Sequence, residues 1–133
     1  MRRGISFIIQ STEDEEKVIK AVMETLSLRI DEGRISMKRL EGHYKNPLTY
    51  VEIPLRREEL SRVYKKVIDG LNSLDRRMLR EHLGDYMDEK GRLYLRLDKQ
   101  LLCLGRISLS QSDAVRIVLK PSKKELEALI GEG

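Results

Sequence analysis

The sequence predicts an α+β domain, a largely antiparallel sheet with helices packed on one face. Three observations point there. Leu93, Leu95 and Leu97 alternate strictly with Arg92, Tyr94, Arg96 and Asp98, the period of a strand with one buried and one wet face. Val18, Ile19, Val22, Met23 and Leu26 recur at helical spacing, as do Leu60, Val63, Tyr64, Val67, Ile68 and Leu71, so each segment carries one apolar stripe. Finally, the strand patterns at 34–40 and 49–55 flank a loop containing Gly42 and Asn46-Pro47, strong breakers that favour an antiparallel hairpin.

Taken in order, Gly4 to Gln10 reads as a first strand, with Ile5, Phe7 and Ile9 set against Ser6 and Ile8. Thr12 and Glu15 have capping-box spacing, and the acids that follow suit a helix N-terminus. Adjacent carboxylates there radiate apart, so the run Glu13 to Lys17 reads as a cap and a solvated face, not a metal site. Asp31-Glu32-Gly33 is a turn into the second strand. Pro54 forces an edge position or a strand end on the third. A long helix over 57–72 follows, and Asp75 is placed to cap another that uses Met78, Leu79, Leu83 and Tyr86. Asp88 to Gly91 turns into the strand 92–98. Asp98 then caps a helical turn of Lys99 to Leu104 that stops at Gly105. Arg106 to Leu109 reads as a fifth strand and Ala114 to Lys120 as a sixth, with Val115, Ile117 and Leu119 inward. Ser122 and Glu125 form a capping box for the last helix.

At 133 residues the chain fits one domain, 1–133, with a core of its own. Cys103 stands alone in an apolar run and reads as a small core residue. After Arg2 and Arg3 only Ile5 to Ile9 are apolar, too short for a secretory signal, and no stretch has the length of a membrane span. The expectation is a cytoplasmic protein with no membrane partner. Charged residues make up 36% of the chain, while Asn, Gln and Cys are scarce, a balance that predicts a thermophilic source.

Lys and Arg total 26 and Asp and Glu 22, a net charge of +4. The distribution says more. Between Glu13 and Glu32 seven acids (Glu13, Asp14, Glu15, Glu16, Glu24, Asp31, Glu32) face three bases (Lys17, Lys20, Arg29). Between Lys90 and Lys124 nine bases (Lys90, Arg92, Arg96, Lys99, Arg106, Arg116, Lys120, Lys123, Lys124) face two acids (Asp98, Asp113). Such asymmetry gives a basic side that attracts polyanions.

Catalytic chemistry finds little footing. His43 and His82 share no metal-site spacing with each other or with Cys103, and there is no phosphate-cradling Gly-rich loop or nucleophile elbow. The expectation is no enzyme, no metal and no cofactor. Binding chemistry is better represented. Arg92, Tyr94 and Arg96 combine phosphate-pairing cations with a stackable ring. The loop residues His43, Tyr44, Lys45 and Asn46 offer rings, a cation and an amide, a set suited to looped or single-stranded RNA. Both groups also fit a plain solvated surface.

Three segments decide between these readings: Ser11-Thr12-Glu13-Asp14-Glu15-Glu16-Lys17-Val18, Glu41-Gly42-His43-Tyr44-Lys45-Asn46-Pro47, and Leu95-Arg96-Leu97-Asp98-Lys99-Gln100 through Gly105. In this order they resemble a family of small archaeal proteins described as RNA-binding and sometimes as exosome subunits. The likeness spans almost the whole chain. It departs at Tyr44-Lys45, where other members often have Phe-Gly, and at Leu101-Leu102, where smaller residues are common. The resemblance implies a fold like the large-subunit ribosomal protein that holds the small ribosomal RNA, and RNA as ligand.

The expectation is therefore a non-catalytic RNA-binding module, associated with RNA processing, the exosome or ribosome-related assembly. Arg92, Arg96 and Lys99 contact phosphates, with Arg34, Lys38 and Arg106 extending the track. His43, Tyr44 and Tyr94 stack, Lys45 adds a loop cation, and Gln100 and Asn46 bond base edges. The rivals are a protein–protein adaptor or homodimer without nucleic acid, and a nuclease if Asp98 and Asp113 converge on a metal.

Overall fold

A computed structural model describes residues 3–41, 46–110 and 112–131. Its frame is a five-stranded sheet of order β2-β3-β1-β5-β4, antiparallel throughout. The strands are β1 (Gly4–Gln10), β2 (Ser36–Glu41), β3 (Pro47–Pro54), β4 (Leu93–Asp98) and β5 (Ala114–Leu119). The helices are α1 (Glu15–Thr25), α2 (Arg57–Gly70), α3 (Ser73–Glu81), α4 (Leu83–Tyr86), α5 (Lys99–Cys103) and α6 (Lys123–Ile130). The α+β class expected from the pattern is the one observed.

Period two decides the sheet. Ile5, Phe7 and Ile9 are buried in β1, Val51 and Ile53 in β3, Leu93, Leu95 and Leu97 in β4, and Val115, Ile117 and Leu119 in β5. The register sets these against one another, with Ile5 facing both Ile53 and Ile117, and Leu95 facing Ile117. Val18 and Val22 of α1, and Leu60, Val63, Val67 and Ile68 of α2, complete the core on that side. Pro54 is the last residue of β3, where its missing N–H removes nothing from the ladder. Gly4 is required at its place: a Cβ there would strike the carbonyl oxygen of Ile53 on the paired strand.

Several boundaries move for identifiable reasons. Asp14, not Thr12, caps α1 by accepting from Lys17 N at 3.2 Å. Asn72, not Asp75, caps α3, accepting from Asp75 N at 2.8 Å. Asp75 is thereby free to accept from Leu109 N at 3.0 Å and Ser108 Oγ at 3.2 Å. Residues 106–109 do not form the expected strand, since Arg106 N instead donates back to the Leu101 carbonyl at 2.8 Å. The segment lies beside β4 with a single bridge, Leu97 to Leu109, and with Ser110 N donating to the Arg96 carbonyl at 2.8 Å. The expected cap at Asp98 is present, accepting from Leu101 N at 2.9 Å.

Candidate nucleic-acid interface

The helices cover one side of the sheet, and the other side is where the alternation delivers its polar half. Cross-strand register arranges it in rows. Ser36, Glu52, Ser6, Arg116 and Arg96 lie side by side across the five strands. The neighbouring row runs Lys38, Tyr50, Ile8, and on the opposite flank Pro54, Gly4, Val118 and Tyr94 align. Lys38, Arg96 and Arg116 are exposed, Tyr50, Glu52 and Tyr94 half-buried. Ile8 and Leu40 add exposed apolar surface. A shallow hollow of about 170 Å³ opens here, bordered by Arg3, Tyr50, Glu52, Tyr94, Arg96 and Arg116.

The central feature is the directly opposed pair Arg96 and Arg116. Like charges in facing positions of a sheet destabilise it. Among the described residues no carboxylate lies within ion-pairing distance of either guanidinium. Two forked donors held side by side on an exposed surface have the geometry to pair with an anion such as phosphate.

The remaining expected site residues divide by place. Arg92 is tied to the turn before β4: Asp88 accepts from its Nε at 2.8 Å and its backbone N at 2.9 Å, and from Tyr94 Oη at 2.9 Å. Burial pushes the Asp88 carboxyl up, but those donors, with Lys90 N, outweigh it and hold the group well below the usual carboxylate range. The Tyr94 hydroxyl is pushed up because Asp88 holds its proton. Tyr94 thus keeps its place in the open-face row with its hydroxyl anchored.

Lys99 requires a correction. Its ammonium is fully buried, donating to Glu13 Oε1 and the Ile8 carbonyl at 2.7 Å each and lying 3.3 Å from Asp113 Oδ1. It joins the end of β1, the approach to α1 and the 112–113 turn, and is closed to a phosphate. Gln100 is exposed but belongs to the same acid cluster, with Glu13 and Asp113 oxygens each 3.4 Å from its amide nitrogen.

Arg34 also has a structural post. It grips both oxygens of Glu59 at 2.6 and 3.0 Å and the Pro54 carbonyl at 3.0 Å, pinning the end of β3 to the start of α2. That bidentate grip, against the opposing effect of burial, lowers the Glu59 carboxyl to about 2. Arg106 is exposed beside a hollow that includes Thr25, Lys66 and Asn72, on the helical side. Asn46 is exposed at the foot of β3. His43, Tyr44 and Lys45 lie outside the described residues. The open face therefore gathers Lys38, Tyr94 and Arg96 from the expected set. It adds Arg116 and Tyr50, whose signal was the same alternation that sends Val115, Ile117 and Val51 inward.

A family model described as RNA binding matches residues 4–121. The RNA-binding protein PAB1135 of Pyrococcus abyssi is 35% identical over 130 residues, covering 91% of this chain and 84% of that protein. An uncharacterized protein of Methanocaldococcus jannaschii, MJ0213, is 29% identical over 115 residues, covering 84% of this chain and 76% of its own. Among solved structures, protein SSO0741 of Sulfolobus solfataricus superposes with a TM-score of 0.77 at 22% identity, over 96% of both chains. Protein AF2318 of Archaeoglobus fulgidus gives 0.71 at 28% identity, over 96% of this chain and 94% of its own.

Proposed function

The chain belongs to this RNA-binding family, and from that premise we propose that the open face of the sheet is where it holds RNA. The observation that carries the reading is the unneutralised Arg96–Arg116 pair, a strained arrangement that a phosphate would relieve. Lys38 and Arg3 extend the positive field, while the Tyr50 and Tyr94 rings and the Ile8 side chain give bases a surface to rest on. An exposed sheet bearing rings and guanidinium groups suits single-stranded or looped RNA, whose bases are free to turn outward.

The protein in this reading binds without cleaving. It serves RNA processing alongside a larger assembly, of exosome or ribosome-related kind, on a fold akin to the ribosomal protein that holds the small ribosomal RNA. Fluorescence anisotropy with short single-stranded oligonucleotides tests the interface. The double variant R96A/R116A should lose at least tenfold in affinity while melting no lower than the parent. With about four phosphate contacts, raising salt from 50 to 200 mM should weaken the parent by roughly two orders of magnitude. Unchanged binding in the double variant sinks the assignment to this face. Co-fractionation with large RNA-processing particles, abolished by ribonuclease, tests the wider setting.

A further inference from the structure

Glu52 is out of place on a surface that holds a polyanion. It sits in the same row as Arg116 and Arg96, at the rim of the hollow. The ordinary explanation would be local charge balance. No direct pairing provides it: Ser6 lies between Glu52 and Arg116 in the row, setting their backbones about 10 Å apart. Among the described residues no cation lies within ion-pairing distance of its carboxylate. Its side-chain hydrogen bond among the described residues is a long one, accepted by Oε2 from Tyr50 Oη at 3.3 Å. Most of its acceptor capacity is therefore unspent, on a half-buried group that RNA would have to approach.

A carboxylate only accepts hydrogen bonds, through two oxygens side by side. Its complement on a nucleobase is an edge with two adjacent donors. The pairing edge of guanine has them, N1–H beside the N2 amino group. Adenine and cytosine each place one amino donor beside a ring acceptor, and uracil flanks its single N–H with two carbonyls. We propose that Glu52 reads a guanine in single-stranded or looped RNA, making the open face a guanine-preferring site. Tyr50, two residues away on the same face, supplies the ring beside the reading carboxylate. Arg116 and Arg96, along the same row, hold the neighbouring phosphates. The acid is thereby accounted for: it repels the backbone slightly and gains two donors only when the correct base is present.

This inference rests on the open-face reading, so the experiment separates the two. Uridine decamers carrying one central guanosine, adenosine or inosine are titrated against the parent, E52Q, E52A and R96A/R116A. The parent should favour guanosine over adenosine by about tenfold. Inosine, which lacks the N2 amino group, should fall between them. Both Glu52 variants should bind all three alike while melting like the parent, and R96A/R116A should weaken all three by one common factor. If the parent shows no preference, or if E52Q and E52A tighten every decamer equally, Glu52 is only a charge and the guanine assignment is overturned. The open face stands in that case if R96A/R116A still weakens binding. If R96A/R116A binds as the parent does, the face and the guanine site fall together.

Discussion

Arg96 and Arg116 face each other across the β4–β5 pair, on the side of the sheet that the helices leave bare. The free protein carries a repulsion there which bound phosphate would remove. Affinity and stability should consequently move in opposite directions at this pair. Placing an acid in one position converts the repulsion into an attraction. R116E should stabilise the free protein by about 0.5 kcal/mol and lower affinity for single-stranded RNA by more than tenfold. Chemical denaturation and anisotropy on the same samples check both signs. A variant that loses stability and affinity together would show that Arg116 serves the fold.

The buried ammonium of Lys99 should behave in the contrary way. It satisfies Glu13, approaches Asp113 and caps the Ile8 carbonyl, all from a site with no solvent exposure. In K99M the chain keeps the volume and loses the charge, leaving Glu13 and Asp113 to repel one another. The expected loss is about 3 kcal/mol, the low end for breaking a buried pair, because Asp113 is 44% exposed and regains water. RNA affinity per folded molecule should stay within about twofold, a factor worth less than ~0.5 kcal/mol. Urea unfolding and anisotropy below the unfolding transition read the two effects separately.

These two basic residues show what local pattern reveals and what it hides. Arg96 is outward because Leu95 and Leu97 are inward, a relation contained within three residues, and Arg116 follows equally from Val115 and Ile117. Tyr50 was legible on the same grounds. Lys99 follows the strand at a point where the period breaks, and its burial depends on Glu13, 86 residues away. No local pattern reports such a partner. The anchoring of segment 106–109 is equally non-local, since Asp75 accepts the Leu109 N–H from 34 residues away. Helix and strand identity were readable where one face is apolar. Side-chain appointments made between distant segments were not, and Arg34, gripping Glu59 25 residues on, belongs to that class.

Acid should loosen the fold through Glu59 and its counterparts. The Glu59 carboxyl titrates at about 2 in the folded protein against an ordinary 4.5, so the folded state binds its proton less readily than the unfolded chain. A depressed carboxylate contributes its stability above the unfolded value and loses it as pH falls toward the folded one. Asp88 and Glu13 are also lowered and act in the same sense. Stability should therefore be level from neutral pH to about 5, then decline between roughly 4.5 and 2. In R34A the grip on Glu59 is gone. That variant should be less stable at pH 7 by about 2 kcal/mol and should show a shallower acid decline. Urea midpoints at pH 7, 4.5, 3 and 2 test it, and an undiminished slope in R34A would assign the decline to Asp88 and Glu13.

Asp75 holds the segment that shields the β4 edge, and the consequence can be measured. Its Oδ2 accepts from both Ser108 Oγ and Leu109 N, while Ser110 N donates to the Arg96 carbonyl on β4. D75A removes the acceptor that anchors the segment to α3 and should lower stability by about 2 kcal/mol. D75N retains one carbonyl acceptor and should recover most of that. Because an unprotected strand edge invites pairing with other chains, D75A should also associate at high concentration, where D75N stays dispersed. Amide hydrogen exchange locates the effect: protection should fall at Leu109 and Ser110 while Ile5 and Ile117, in the middle of the sheet, keep theirs. Loss of protection throughout would instead make Asp75 a support of the whole core.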